Sequence, residues 1–278
     1  KAEKYLFIMI FVVVAMPSEA KPFCKRYGLK LRCEKPFTIF QKDEIALIIS
    51  GIGIESSAAA VGYLGGLFNR HQKDLWLNIG IAGHQTLGIG SLVMAHKVSR
   101  WDDGRHWFPD FTARAPLPTV EIVSFNKTVN DFTGDYVCDM ESAGFMAAAE
   151  KFSPSHLTHA IKIISDNEES GVLHIDRKFV STLIGESLES IACAIEFIKD
   201  SGNHLAISSI PEEQELMQCM WQFTASQSAQ LAEELRRFSA LTGGRRVTLE
   251  NLKHCRTAQE VIRIIRAMAN SNTPELDF

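Results

Sequence analysis

Three short apolar runs in this chain each end in carboxylates. The run at 5–15 leads into Met16, Pro17, Ser18 and Glu19; the segment 136–138 leads into Asp139, Met140, Glu141 and Ser142; the run at 159–165 leads into Asp166, Asn167, Glu168 and Glu169. In parallel sheets ligands gather in the crevice beyond the carboxyl ends of the strands, so these are positions where acids meet a ligand. A plainer explanation also exists, because Asp and Glu are favoured in the first turn of a helix by capping and by the macrodipole. For any single acid the two explanations balance. Three acids converging on one crevice favour a site, and the chemistry they suit is cleavage of a glycosidic bond, where carboxyl groups take distinct roles around an oxocarbenium-like sugar.

Two glycine turns lie between these acids. Residues 50–57, SGIGIESS, follow a strand-like run and open a helical pattern, which offers backbone N–H groups to an anion or a hydroxyl. Residues 78–84, NIGIAGH, follow the next run, and their glycines allow close approach of backbone to a ligand. Each turn alone is a weak signal, since such turns also serve packing.

The elements that must hold these residues alternate. Strands are expected at 5–15, 45–50, 75–80, 91–98, 120–125 and 159–165, and helices at 18–28, 54–70, 140–151 and 176–199. Short β-branched runs separated by helical periods predict an α/β architecture with a mainly parallel sheet. The stripe Val180, Leu183, Ile184, Leu188, Ile191, Ala194, Ile195 and Ile198 has helical spacing and reads as core. After about residue 201 no strand-like run recurs. Helical patterns at 212–225, 227–241 and 247–270 make a tail, so the expected division is 1–205 and 206–278.

Composition narrows the class without naming a partner. With 278 residues, 46% hydrophobic, 22% charged and a net charge of −4, the chain can bury a large core and has no global attraction for nucleic acid or anionic lipid. The six cysteines show neither CxxC pairs nor zinc spacing, which predicts reduced thiols and a cytoplasmic setting. The apolar run from Tyr5 to Met16, after Lys1 and Lys4, has the outline of a signal peptide, but it is too short to span a bilayer. Its β-branched content suits a strand buried on both faces, and no membrane role is expected. Arg236, Arg237, Arg245, Arg246, Lys253, Arg256, Arg263 and Arg266 face only Glu250 and Glu260 within 236–266. That basic stretch is either a docking face for nucleic acid or protein, or a solvated helix face.

The ordered motifs AMPSEA (15–20), SGIGIESSAAAVG (50–62), LNIGIAGHQTLGIGSLV (77–93), VCDMESAGFMAA (137–148) and IKIISDN (161–167) resemble the nucleoside phosphorylase superfamily, especially its methylthioadenosine/adenosylhomocysteine nucleosidase branch, over about residues 5–200. The resemblance implies a three-layer α/β fold with a central mixed, mainly parallel sheet, to which the tail adds a C-terminal helical extension. It implies a purine nucleoside as small-molecule partner, a homodimer or higher homo-oligomer, and no cofactor or metal, with phosphate a co-substrate only in a phosphorylase. Position by position, Asp166 would protonate the leaving purine, Glu19 would activate the attacking water, and Glu141 would hold the ribose hydroxyls with Met140 packed on the sugar. Ile81, Ala82, Gly83, Ser165 and Lys162 fall at further substrate-contacting positions. Phe125, with Trp101, Trp107, Phe108 and Phe111, is an aromatic candidate either to stack on a base or simply to pack.

Asn78 stands where phosphorylases of this superfamily place an arginine, and Glu19 would repel phosphate; both favour hydrolysis. An arginine from elsewhere, such as Arg32 or one on a neighbouring subunit, keeps phosphorolysis open. Three departures from the pattern, Ile81 for Ser or Thr, His84 for Gly and Lys162 for Arg, together with a compressed 99–137 stretch, leave a third reading: a nucleoside-binding protein that has lost turnover. His84 is read as a hydrogen-bonded surface histidine rather than an acid/base group, and His106, His174 and His254 lack metal spacing.

Overall fold

The structure, a computed structural model, describes residues 8–68, 74–111, 114–129, 134–169, 175–205 and 211–272. It divides into two compact units, Lys1–Gly202 and Asn203–Phe278. Ten strands make one mixed sheet in the first unit: β1 Ile10–Val14, β2 Lys30–Cys33, β3 Thr38–Lys42, β4 Ile45–Ile49, β5 Leu75–Gly83, β6 Leu92–Arg100, β7 His106–Trp107, β8 Thr119–Ser124, β9 Val137–Asp139 and β10 Thr158–Asp166. Helices α1 Pro17–Tyr27, α2 Ile54–Leu67, α3 Ser142–Ala149 and α4 Arg177–Leu205 accompany them.

Alternation along β1 explains how helices cover both faces. Ile10, Val12 and Val14 join a buried cluster with Ala20 and Phe23 of α1 and the Val180–Ile198 stripe of α4. Phe11 and Val13 point the other way, into a cluster with Val61 and Leu64 of α2 and Phe145 and Met146 of α3. The strand is fully buried, as its β-branched run predicts for a strand covered on both sides.

The sheet is mixed, as expected, and part of it closes on itself. β1 is parallel to β4 and β5, and β5 to β10, but β10 pairs β6 antiparallel, β6 and β9 flank β8 in parallel, and β9 returns antiparallel to β5. The hydrogen-bond ladder β5–β10–β6–β8–β9 therefore closes on itself, while β1, β4, β3 and β2 form an open wing. β2 and β3 escaped the sequence reading. β2 is an edge strand with mostly exposed residues, so KLRC carries no alternation of apolar and polar residues to detect.

In the second unit the described elements are all helical: α5 Pro211–Met220, α6 Ala225–Leu241, α7 Leu249–Leu252 and α8 Ala258–Asn270. Their apolar stripes pack on one another, with Leu231, Leu235 and Phe238 of α6 against Val261, Ile262 and Ile265 of α8. The single helix expected over 247–270 is two. The break is a capping box, in which Thr257 Oγ1 accepts from Glu260 N at 3.2 Å and Glu260 Oε2 accepts from Thr257 N at 3.2 Å. The basic excess read from 236–266 is also smaller in space than in sequence. Glu234 pairs Arg266 at 2.6 Å and Arg237 at 3.7 Å, and Glu213 lies 3.9 Å from Arg246, both acids coming from outside that window. Residues 5–7, 69–70, 206–210 and 273–278 of the expected elements, and His174, lie outside the described residues. No helix among the described residues is long and apolar enough to cross a membrane.

Candidate active site

The carboxylates meet because three strands end together. In the register of the sheet Gly83 of β5 pairs Asp166 of β10 on one side and Cys138 of β9 on the other. Asp166 and the Cys138–Glu141 turn thus flank Gly83, with backbones roughly 10 Å apart at the usual strand spacing. Glu19 arrives from α1 beneath the same strand. Its Oε1 accepts from Ile81 N at 3.1 Å, and Oε2 accepts from Ala15 N at 2.8 Å and Met16 N at 2.9 Å. Gly80 permits this approach, because a Cβ there would stand 2.7 Å from Glu19 Oε1.

A cavity of about 250 Å3 opens at this junction, lined by Glu19, Asp139, Glu141 and Asp166 together with Ile81, Ala82, Gly83, Met140 and Ser165. It is a little under the roughly 300–1,000 Å3 typical of small-molecule sites. Of the residues nominated from sequence, Lys162 and Phe125 are not in the lining. Lys162 is fully buried behind it, 2.8 Å from Asp139 Oδ2. Phe125 packs between Trp101, at 5.0 Å between ring centroids, and Tyr136, at 6.3 Å. The other aromatic candidates also stay out of the lining, with Phe111 against His159 and Trp107 beneath Arg105. Arg32 stacks on Phe68 and is not in the lining either.

Each acid has a different environment. Burial raises the pKa of Glu19 despite its three backbone donors and the nearby Lys162 ammonium. Of the four lone-pair sites on that carboxylate, three are occupied, which leaves one for a water. Burial also pushes Glu141 up, to about 7, against the pull of Lys162 and of the Gly53 N–H, which donates to Glu141 Oε1 at 2.9 Å. Gly53 reaches that position with φ at 113°, outside the range of ordinary side-chain-bearing residues. So the first glycine turn presents its N–H to a protein carboxylate rather than to a ligand anion.

Burial likewise raises the pKa of Asp166 from its ordinary value, against the hydrogen bond from Ser165, which lowers it. Ser165 Oγ sits 2.5 Å from Asp166 Oδ1 and 3.3 Å from the Ala82 carbonyl oxygen. The single hydroxyl proton is donated to Asp166 at the shorter distance and favours its ionised form, so burial alone moves Asp166 toward the protonated form a general acid needs. Asp139 is the exception. Burial would raise it, but Lys162 and hydrogen bonds from Ser124 Oγ (2.5 Å), Ser142 Oγ (2.6 Å) and Ser142 N (2.8 Å) hold it below the usual range. Ser142 Oγ also lies 3.0 Å from Asn78 Oδ1, and Asn78 Nδ2 donates to the Val13 carbonyl, so Asn78 is a structural link inside the sheet.

His84 corrects the surface expectation. It is 2% exposed, and its Nδ1 accepts from Thr86 N at 3.1 Å and Leu87 N at 3.0 Å, so the ring is neutral there and holds the loop after β5. Burial lowers its pKa in keeping with that role. Sequence reading did not nominate the rest of the lining: Ala15, Met16, Ile52, Cys138, Ile175 and the strip Lys127, Thr128 and Val129. Asp139 and Met16 stood inside quoted motifs. The Lys127 strip lies in a loop without pattern, and only the register of β8 against β9 brings it to the cavity.

A pH prediction follows from Glu141. Its folded pKa of about 7 lies above its ordinary value of 4.5, so protonation favours the folded state. The stability it contributes is fully present below 4.5 and is lost as pH rises toward 7. Urea unfolding of the ligand-free protein should show that decline, and Glu141→Gln should flatten it. An unchanged slope in the variant would assign the decline to other groups.

No family model matches the chain, and no curated protein matches it in sequence. Solved structures do. A methylthioadenosine nucleosidase mutant from Helicobacter pylori with 5′-methylthioadenosine in its active site superposes at TM-score 0.57 and 16% identity, covering 69% of this chain and 99% of that one. Its fold is theirs. A 5′-methylthioadenosine/S-adenosylhomocysteine nucleosidase from Colwellia psychrerythraea in complex with adenine gives 0.58 and 18%, covering 70% and 95%. A futalosine hydrolase mutant from H. pylori gives 0.57 and 16%, covering 68% and 99%. The nucleosidase fold accounts for about two thirds of the chain.

Proposed function

We propose that the protein is a purine nucleosidase that hydrolyses the N-glycosidic bond of a purine nucleoside, possessing the three-layer core of that fold. The observation that carries the reading is the meeting of Glu19, Glu141 and Asp166 in one cavity at the end of β5. Protonated Asp166 gives its proton to the purine as the C–N bond breaks. Glu141 accepts hydrogen bonds from the sugar hydroxyls, and its charge, with that of Glu19, stabilises the positive ribosyl centre. Glu19, its basicity raised by burial, takes a proton from the water that attacks the anomeric carbon. Two of the neighbours named above hold 5′-methylthioadenosine and adenine, which favours a purine here. The experiment is incubation with a panel of purine nucleosides, watching for free base.

Hydrolysis is favoured over phosphorolysis. Asn78 is engaged inside the sheet and Arg32 is not in the cavity lining, so no arginine among the described residues lines the cavity. Base release should therefore proceed equally with and without phosphate, with free ribose as the sugar product. Ribose 1-phosphate in the product mixture would reverse this assignment.

A further inference from the structure

The ladder between β5 and β10 ends at the pair Gly83 and Asp166, so Asp166 and the residues after it have no strand to hold them. The turn at 84–87 does so instead. His84 N donates to the Asp166 carbonyl at 3.1 Å, Glu168 N donates to the Gln85 carbonyl at 3.3 Å, and Asn167 Nδ2 donates to the Leu87 carbonyl at 3.1 Å. The turn in its place is shaped from within, because His84 Nδ1 accepts from both Thr86 N at 3.1 Å and Leu87 N at 3.0 Å. The ring is 2% exposed, so bulk water does not compete for these two donors. An accepting Nδ1 is unprotonated, which puts the ring proton on Nε2. Nε2 faces the carboxylate of Asp135, an exposed residue in the loop before β9, at 3.5 Å. The other titratable residues at the turn are Asp166 and Glu168, which it holds through their backbone, and Cys138, paired with Gly83. Burial outweighs the Asp135 charge and keeps the ring neutral.

We propose that His84 is a positioning residue for the Asp166 general acid: its neutral imidazole shapes the 84–87 turn, and the turn fixes the backbone from which the carboxyl reaches the base. This rests on the nucleosidase reading and adds a residue to it. The short side chain of Asp166 moves with its backbone, and a displacement of about 1 Å at a reacting group costs on the order of 10² in rate.

The test pairs two substitutions. In His84→Asn the side-chain oxygen stands near the place of Nδ1 and can accept from the same two N–H groups, whereas in His84→Gln it reaches the place of Nε2 and leaves them bare. His84→Gln should lower single-turnover base release roughly 10- to 100-fold with nucleoside affinity little changed, and His84→Asn should keep most of the rate. In an Asp166→Asn background His84→Gln should cost nothing further, because no proton is left to place. An equal fall in both backgrounds, or in both His84 variants, assigns His84 to the scaffold at large and overturns the proposal. Should His84→Gln not fold, hydrogen exchange in the parent protein decides. Acid that protonates the ring and releases the Thr86 and Leu87 amides should release the Glu168 amide at the same pH; Glu168 protection that outlasts theirs overturns the proposal. If no nucleoside releases base, an NMR titration of the Asp166 carboxyl in the ligand-free protein separates the two readings. A pKa that drops toward its ordinary value in His84→Gln, as the loosened turn admits water, and holds in His84→Asn sustains the positioning role while the nucleosidase reading fails. A pKa that neither substitution moves ends it.

Discussion

Asp166→Asn should lower purine release by roughly 10²–10⁴-fold, the usual contribution of a positioned general acid. The carboxamide keeps the size of the side chain and can still meet Ser165 Oγ, so the cavity should retain its shape and its affinity for nucleoside. What it loses is a proton that can be given up. The purine would then leave as an anion, with negative charge developing on its five-membered ring and nothing to neutralise it. The measurement is single-turnover base release beside equilibrium binding. A large fall in the rate with unchanged binding supports the role, whereas near-native turnover would remove Asp166 from the chemistry. Because burial raises the Asp166 pKa, the parent protein should also lose rate at high pH as the acid ionises, and the variant should lack that limb.

Lys162→Met should destabilise the fold by about 3–5 kcal/mol, the cost of leaving one member of a buried ion pair alone. The pair is dry: the side chains of Lys162 and Asp139 are 1% and 0% exposed, and they stand 2.8 Å apart. Burial by itself would discharge both groups. Each is kept charged by the other, and Lys162 is further held by Glu141 and Glu19. Removing the ammonium forces Asp139 either to take up a proton or to remain charged without a partner, and it pushes the pKa of Glu141 higher still. Adding Asp139→Asn should restore part of the loss, so a double-mutant cycle in urea should show a coupling well above that of independent sites. Additive losses would mean that the serine and backbone donors around Asp139 suffice to hold its charge.

The buried strands and the strand-end acids were legible because burial on two faces leaves runs such as IFVVV and because ordered motifs surrounded Glu19, Glu141 and Asp166. What could not be read was pairing. Closure of the sheet depends on β9, a three-residue strand held to β5 by the single pair Gly83 and Cys138, and nothing in VCD announces an antiparallel partner 55 residues earlier. Phe125 and Lys162 stand outside the lining for a related reason: sequence gives a residue's neighbours along the chain but not which side of a strand, or of the turn after it, faces the cavity. Lys162 is on a strand buried along its whole length, where alternation of apolar and polar residues no longer distinguishes the faces. The tail break at Thr257 was different, since the capping box was written in TAQE and was overlooked within a longer apolar period.

Glu19 differs from Asp166 in how much of the backbone depends on it. Its carboxylate accepts from Ala15, Met16 and Ile81, so it fastens the end of β1 to β5 whether or not a nucleoside is ever cleaved. Losing it would strand three backbone N–H groups in the interior, at about 1–3 kcal/mol for each that finds no water. Selection for a folded chain alone would therefore preserve Glu19. Asp166 has no such tie: its carboxylate meets one serine hydroxyl, and drift could replace it at little structural cost. In this chain Glu19 is thus tied to folding as well as to the proposed chemistry, whereas Asp166 can be altered with little disturbance of the backbone.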